Sequence, residues 1–265
     1  MPILYLISVP TTDPDDVSLR ALRLIRESSA VAVAESDRPS LTALLKHHQI
    51  AAQQLIALDE VAKALETGDV ALIAAGNAPA VADEVGARIV RDAITRGLRV
   101  EPIPGVSLPI TALVLSALPP DTFVYVGRLP DASPSDGLMG YEDDRATLVM
   151  TLRADRLPAA LETLRGAFGD RPACLVYRPG APDGLALRGP LSSLMAPEGL
   201  SSAEDVALVL GGAPERPQRR WTEDEVRAAL EARLDAGDPL KVAAKAIAAE
   251  SGWDRRSVYA LGIED

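Results

Sequence analysis

The chain is 265 residues long, 48% hydrophobic and 25% charged, with a formal net charge of −11; this excludes a disordered or collagen-like polymer and favours two folded units over one. Aromatic residues are only 3%, so aliphatic side chains must fill the core and stacking platforms for bases are scarce. The acidic balance excludes a protein that coats nucleic acid, because each neutralised phosphate needs a nearby Lys or Arg, and any such contact has to be local.

Ile3 to Val9 is almost wholly apolar and stops at Pro10, as a strand buried on both faces would. Thr11 to Asp16 reads as a polar loop. Val17 to Glu27 carries apolar residues at helical spacing, and Ala30 to Ala34, Val70 to Ala75 and Arg99 to Ile103 are further strand-like runs. Ala80 to Arg96 reads as an amphipathic helix closed by Gly97. Strand, helix, strand at this spacing predicts a parallel α/β sheet. Two loops follow such strands: Ala75-Gly76-Asn77-Ala78-Pro79 and Pro104-Gly105-Val106-Ser107. Open α/β sheets bind ligands at that place, although Gly and Pro also simply punctuate turns.

The longest apolar stretch, Val106 to Leu118, holds Pro109 and is shorter than the roughly 20 residues of a membrane span. It suits either buried core or a subunit interface. A second unit is predicted after Pro120, with strands at Phe123–Val126, Ala146–Leu152, Ala173–Tyr177 and Val206–Leu210 and a helix at Leu157–Ala167. Phe123 and Tyr125 are expected in its core. Leu129 to Asp144 reads as a long loop with five acidic residues, Asp131, Asp136, Glu142, Asp143 and Asp144, and no basic one. Gly211 to Arg220 reads as a linker. Beyond it, Thr222 with Glu225 forms a capping-box pattern for a helix to about Asp235, Pro239 enters a second helix that Gly252 ends, and Asp254 can cap a third. This pattern suggests a helix-turn-helix. Lys241, Lys245, Arg255 and Arg256 outnumber Glu250 and Asp254 there, a local positive excess inside an acidic chain.

Cys174 is the only cysteine, which excludes an intrachain disulfide and a cysteine-based zinc site. His47 and His48 are the only histidines; neighbours on a helix point about 100° apart, which suits a shared metal poorly, so no metal is expected. The N-terminus lacks the basic segment of a secretory signal, and a cytoplasmic protein with no membrane association is expected.

Taken in order, several short motifs resemble those of the tetrapyrrole-methylase superfamily, most closely its branch of small-subunit ribosomal RNA 2'-O-ribose methyltransferases. The opening A-T-P-I-G-N-L-x-D of that branch stands as Ser8-Val9-Pro10-Thr11-Thr12-Asp13-Pro14-Asp15-Asp16, and its A-E-D-T-R as Ala34-Glu35-Ser36-Asp37-Arg38. Its S-D-A-G-T-P loop stands as Ala74 to Pro79, its P-G-P-S-A loop as Pro104 to Leu108, and its G-L-P-x-D-x-F-x-Y-x-G-F-L-P as Ala117 to Pro130. The tail from Leu240 to Tyr259 is similar to the branch's C-terminal helical module. The second-domain F-Y-E-S-P-H-R, by contrast, keeps only Arg156.

The resemblance implies two α/β domains of tetrapyrrole-methylase type, 1–118 and 119–213, with a cofactor cleft between them, and a helical tail module at 218–265. It implies a homodimer that uses S-adenosylmethionine to methylate ribosomal RNA of the small subunit. The cofactor would contact Val9, Pro10, Ala75, Gly76, Asn77, Ala78, Pro79, Pro104, Gly105, Val106 and Ser107, with Met150 and Thr151 on the adenosine side. Glycine lets the main chain come close to a ligand, and Pro79 and Pro104 would stiffen the loops. Glu35 is the candidate base for a ribose hydroxyl, or else an ion-pair partner of Arg38. Lys241, Lys245, Arg255 and Arg256 would hold the RNA. A small-molecule methyltransferase of tetrapyrrole type, or a non-catalytic relative that binds S-adenosylmethionine or RNA, are the alternatives.

Overall fold

The computed structural model describes residues 2–51, 54–81, 83–131, 133, 137–197, 204–214 and 220–263. Asp136 of the acidic loop and 215–219 of the linker lie outside the described residues. The chain divides into a unit of residues 1–213 and one of 214–265.

The first unit begins β1 (Ile3–Val9), α1 (Leu19–Glu27), β2 (Ala30–Val33), α2 (Arg38–His47), β3 (Gln54–Ile56), α3 (Val61–Ala64), β4 (Val70–Ala75), α4 (Glu84–Thr95), β5 (Arg99–Ile103), α5 (Leu108–Ser116). Its five strands form a sheet in the order β3-β2-β4-β1-β5, every pair parallel. The pleat sorts the strand side chains by parity. Ile7, Val9, Val31, Val33, Ala71 and Ile73 pack with α1 and α2 on one face, while Leu4, Ala30, Ala32, Val70 and Leu72 pack with α3 and α4 on the other. Right-handed crossovers account for this: the chain leaves β1 toward β2 and leaves β4 toward β5, in opposite directions, so α1 and α4 cover opposite faces. The strand order therefore reverses between β1 and β4, where such sheets bind ligands.

α4 starts at Glu84, four residues later than the apolar spacing predicts. Ala80 stands in the left-handed region at φ 72°, and Asp83 caps the helix by accepting from Gly86 N at 2.7 Å. Local geometry and the cap decide this boundary rather than hydrophobic periodicity.

The chain continues through β6 (Phe123–Arg128), β7 (Thr147–Arg153), α6 (Leu157–Phe168), β8 (Pro172–Tyr177), β9 (Leu185–Pro190) and β10 (Asp205–Leu210). The second sheet has the order β6-β7-β10-β8-β9, with only β6 and β7 parallel. α6 covers one face, on Leu148, Met150, Leu152, Leu175 and Leu208. α5 covers the other, placing Ala112 and Leu113 against Val149, Cys174, Val176, Ala207 and Val209. The apolar stretch before Leu118 is thus core along one side of α5, while Val114 stays 75% exposed on the other. Because α5 leaves the first sheet and seats on the second, it ties the two together.

The unit of 214–265 holds α7 (Glu223–Asp235), α8 (Leu240–Ser251) and α9 (Arg255–Leu261) around Val226, Leu230, Ala243, Ala244, Ile247 and Val258. The reciprocal Thr222–Glu225 capping box is present, Gly252 ends α8 in the left-handed conformation, and Asp254 caps α9. Trp253 Nε1 donates to the Trp221 carbonyl at 2.7 Å, which joins the start of the unit to the α8–α9 turn. No helix among the described residues is long and apolar enough to cross a membrane.

Candidate active site

The strands β4, β1 and β5 end side by side, and the loops that leave them are bonded to one another. Gly76 N donates to the Val9 carbonyl at 2.8 Å, and Leu108 N donates to the Gly76 carbonyl at 2.6 Å. Gly76 sits at φ +72°, a conformation costly for a residue with a Cβ. Ser8 Oγ donates to the Val106 carbonyl at 2.7 Å, pinning the second loop to β1. Gly105 is needed there for contact rather than for backbone freedom. A Cβ at Gly105 would stand 3.0 Å from the Ser8 carbonyl oxygen and 3.2 Å from Ser8 Cβ.

These loops border a cavity of about 420 Å³ that Ile110 and Tyr125 close from α5 and β6. The volume lies inside the range of roughly 300–1,000 Å³ usual for small-molecule sites. Of the residues expected at the cofactor, Asn77, Ala78, Pro104, Gly105, Val106 and Ser107 line the cavity. Val9 and Gly76 build it through their backbone bonds. Pro10, Ala75, Pro79 and Thr151 do not line it.

Asn77 carries the polar chemistry. Its Oδ1 accepts from Ala78 N at 3.0 Å and from Ser107 Oγ at 3.3 Å, so the side chain bridges both loops. Its Nδ2 is buried and has no partner. A buried donor without a partner costs free energy that a bound acceptor would recover. An orphaned amide beside a glycine that closely approaches β1 fits a nucleoside-bearing cofactor with hydrogen-bond acceptors.

Two expectations need correction. The Met150 side chain is fully buried in the core against α6, because on β7 it points to the face opposite that of Val149, which meets α5. Tyr125 packs against the core under α5, as expected, and also lines the cavity, with its hydroxyl 3.4 Å from Thr151 Oγ1. Phe123, also expected in the core, is instead 38% exposed, because it opens β6 at the sheet edge.

Glu35 follows β2 and is 80% exposed, with Oε2 at 2.9 Å from Arg38 Nε, so the ion-pair alternative is the one formed. The carboxylate that reaches the strand ends is Asp37, whose Oδ2 accepts from Ala75 N at 3.1 Å. Burial pushes the Asp37 carboxyl above its ordinary range, against the lowering effect of that bond. Spacing offered little to separate Asp37 from Glu35, since both lie in one acidic pentapeptide. In the tail, Lys241, Lys245, Arg255 and Arg256 are all exposed.

Four acids of the 129–144 segment have structural occupations. Asp131 stands 3.9 Å from Arg153, Glu142 accepts from Gly140 N, Asp144 accepts from Ala146 N, and Asp143 faces the buried Arg171. Arg171 also donates to the Glu142 carbonyl. This segment uses much of its negative charge to hold its own shape.

Residues 3–195 match the family model for Tetrapyrrole (Corrin/Porphyrin) Methylases. The chain is 32% identical to the ribosomal RNA small subunit methyltransferase I of Micromonospora olivasterospora, over 87% of this chain and 79% of that one. To the protein of the same name from Halalkalibacterium halodurans it is 29% identical, over 97% and 93%. Among solved structures it is similar to uroporphyrin-III-C-methyltransferase from Thermus thermophilus, with a TM-score of 0.56 and 26% identity over 80% of this chain and 94% of that one.

Proposed function

Because the chain belongs to the tetrapyrrole methylase family and is an S-adenosylmethionine-dependent methyltransferase, we propose that it methylates small-subunit ribosomal RNA, at a ribose 2'-oxygen. The observation that carries this reading is the reach of the likeness. It extends over 97% of the chain to a relative named for ribosomal RNA, well beyond the family model's end at residue 195 and through the helical tail.

When bound, S-adenosylmethionine supplies a methyl group already activated on a sulfonium. The chain's task is therefore alignment and exclusion of water. The Val9–Gly76 and Gly76–Leu108 bonds fix the loops before the cofactor arrives, so little ordering entropy remains to be lost. Asn77 Nδ2 offers its unused proton to an acceptor in the cavity, and Ile110 and Tyr125 screen the opposite side. For Glu35 to take the hydroxyl proton, its pair with Arg38 must open as substrate binds. The exposed cations of α8 and α9 are the contacts for RNA phosphates. A homodimer, as the family likeness implies, would cover the exposed side of α5 at Val114. Cytoplasmic residence follows from action on the ribosome.

A second reading, methylation of a small tetrapyrrole-like molecule, draws support from the acidic 129–144 segment, which supplies no cation to a polyanion. One experiment separates them. Deleting the gene and mapping 2'-O-methylation of small-subunit ribosomal RNA by primer extension at low nucleotide concentration should remove a single stop, restored by the intact gene. An unchanged stop pattern refutes the ribosomal RNA reading.

A further inference from the structure

We propose that Asp15, His47 and His48 form a surface site for one divalent transition-metal ion of the zinc class, joining the loop after β1 to the end of α2. One ring nitrogen from each histidine and a carboxylate oxygen of Asp15 all lie within 4.8 Å of one another. Two separate segments supply them: His47 closes α2 and His48 is its C-cap, while Asp15 belongs to the loop between β1 and α1. Helical spacing alone argued against a shared ion, and the rings do stand at 83° with centroids 4.8 Å apart. Each nonetheless bonds one of two adjacent loop residues, His47 Nε2 at 2.9 Å from Asp15 Oδ1 and His48 Nε2 at 2.8 Å from the Pro14 carbonyl oxygen.

The second bond is informative. A carbonyl oxygen only accepts, so His48 donates through Nε2 and keeps the lone pair on Nδ1. An imidazole anchored to a backbone carbonyl through one nitrogen and basic at the other is how metal-binding histidines are held. Two imidazoles and a carboxylate suit zinc, with a fourth position left for water. Ligand atoms around a tetrahedral ion with bonds near 2.0–2.1 Å stand about 3.3 Å apart. His47 Nε2 donates to Asp15 Oδ1 at 2.9 Å, so an ion that takes the place of this bond shifts that proton to Nδ1, and side chains 47% and 72% exposed have room to turn. Asp15 N donates to Asp13 Oδ1, which already orders the loop. An ion here would fasten a segment that begins at Pro10, beside the cofactor loops, and whose Thr12 Oγ1 donates to the Pro179 carbonyl at 3.0 Å.

The test titrates Zn²⁺ alone into the chelator-stripped, tag-free full chain by calorimetry, with melting temperature as a second readout. The background is low, because the chain has no other histidine and its one cysteine is buried. We expect one saturable equivalent of Zn²⁺ and a melting temperature that rises with it. His47→Gln, His48→Gln and Asp15→Asn should each weaken binding about 10-fold or more, with circular dichroism unchanged, whereas Asp59→Asn, an exposed acid elsewhere, should bind as the parent does. If one variant fails to fold, the other two carry the comparison. Absence of saturable uptake, or equal affinity in the histidine variants and the parent, overturns the proposal.

Discussion

Gly105→Ala drives a methyl group into β1. The added Cβ would stand 3.0 Å from the Ser8 carbonyl oxygen and 3.2 Å from Ser8 Cβ, both tighter than ordinary contacts. Ser8 is only 4% exposed and is held in register against Ala74 of β4, so the loop gives way before β1 does. A retreat of a few tenths of an ångström stretches the 2.7 Å bond from Ser8 Oγ to Val106 and moves the cavity wall formed by Pro104 to Ser107. Overpacking of this kind costs about 1–3 kcal/mol. Scanning calorimetry should record a melting temperature lowered by roughly 2–4 °C per kcal/mol for a unit of this size. If the whole strain appears in binding, titration with S-adenosylmethionine should give a Kd weakened by roughly 5- to 150-fold. Gly166→Ala is the matched control, because Gly166 lies inside α6 and an added Cβ meets nothing within 4 Å. There the same substitution should stabilise by about 0.5–1 kcal/mol. A Gly105→Ala protein that melts with the parent and binds cofactor equally well would show that this contact does not set the loop.

Asn77→Ala removes the bridge between the two loops together with the unused Nδ2 donor, and calorimetry should find S-adenosylmethionine binding weaker by about 1–3 kcal/mol; an unchanged Kd means the amide does not meet the cofactor. Asp37 is the pH probe. Its folded pKa is raised, so its favourable contribution is complete below the ordinary carboxylate range and is lost as pH rises through the folded value. Asp37→Asn keeps an acceptor for Ala75 N without the charge, so it should melt higher than the parent at neutral pH, with the gain shrinking as pH falls toward about 4; a gain independent of pH contradicts a burial penalty. Replacing Lys241, Lys245, Arg255 and Arg256 by alanine should weaken binding to small-subunit ribosomal RNA and flatten its salt dependence by about 0.7–0.9 log units for each phosphate no longer neutralised. An unaltered salt slope in a filter-binding assay would move the RNA interface away from the tail.

The features readable from the chain alone are those encoded within a few residues. The β1, β2 and β4 runs are apolar because both faces of these strands meet other side chains, whereas the Thr222–Glu225 box and Asp254 mark helix starts through bonds spanning at most three positions and Gly252 marks a helix end through its left-handed backbone. β9 escaped because it is an edge strand with little buried surface, and β3 because it is three residues long. Neither carries enough apolar repetition to signal its period.

The chain by itself determined the strand and helix runs, the two glycine loops and the order of motifs that links them to one family, since each depends on neighbours in sequence. Only the tertiary structure decided which way side chains turn once the sheets are covered. On β7, α6 claims Met150 for the core. On β6, Tyr125 reaches the cavity. At β2, Asp37 rather than Glu35 meets the backbone of β4, because strand order sets two distant segments side by side. The same juxtaposition brings Asp15 to His47 and His48 across a sequence separation of more than thirty residues, and no local spacing contains that information.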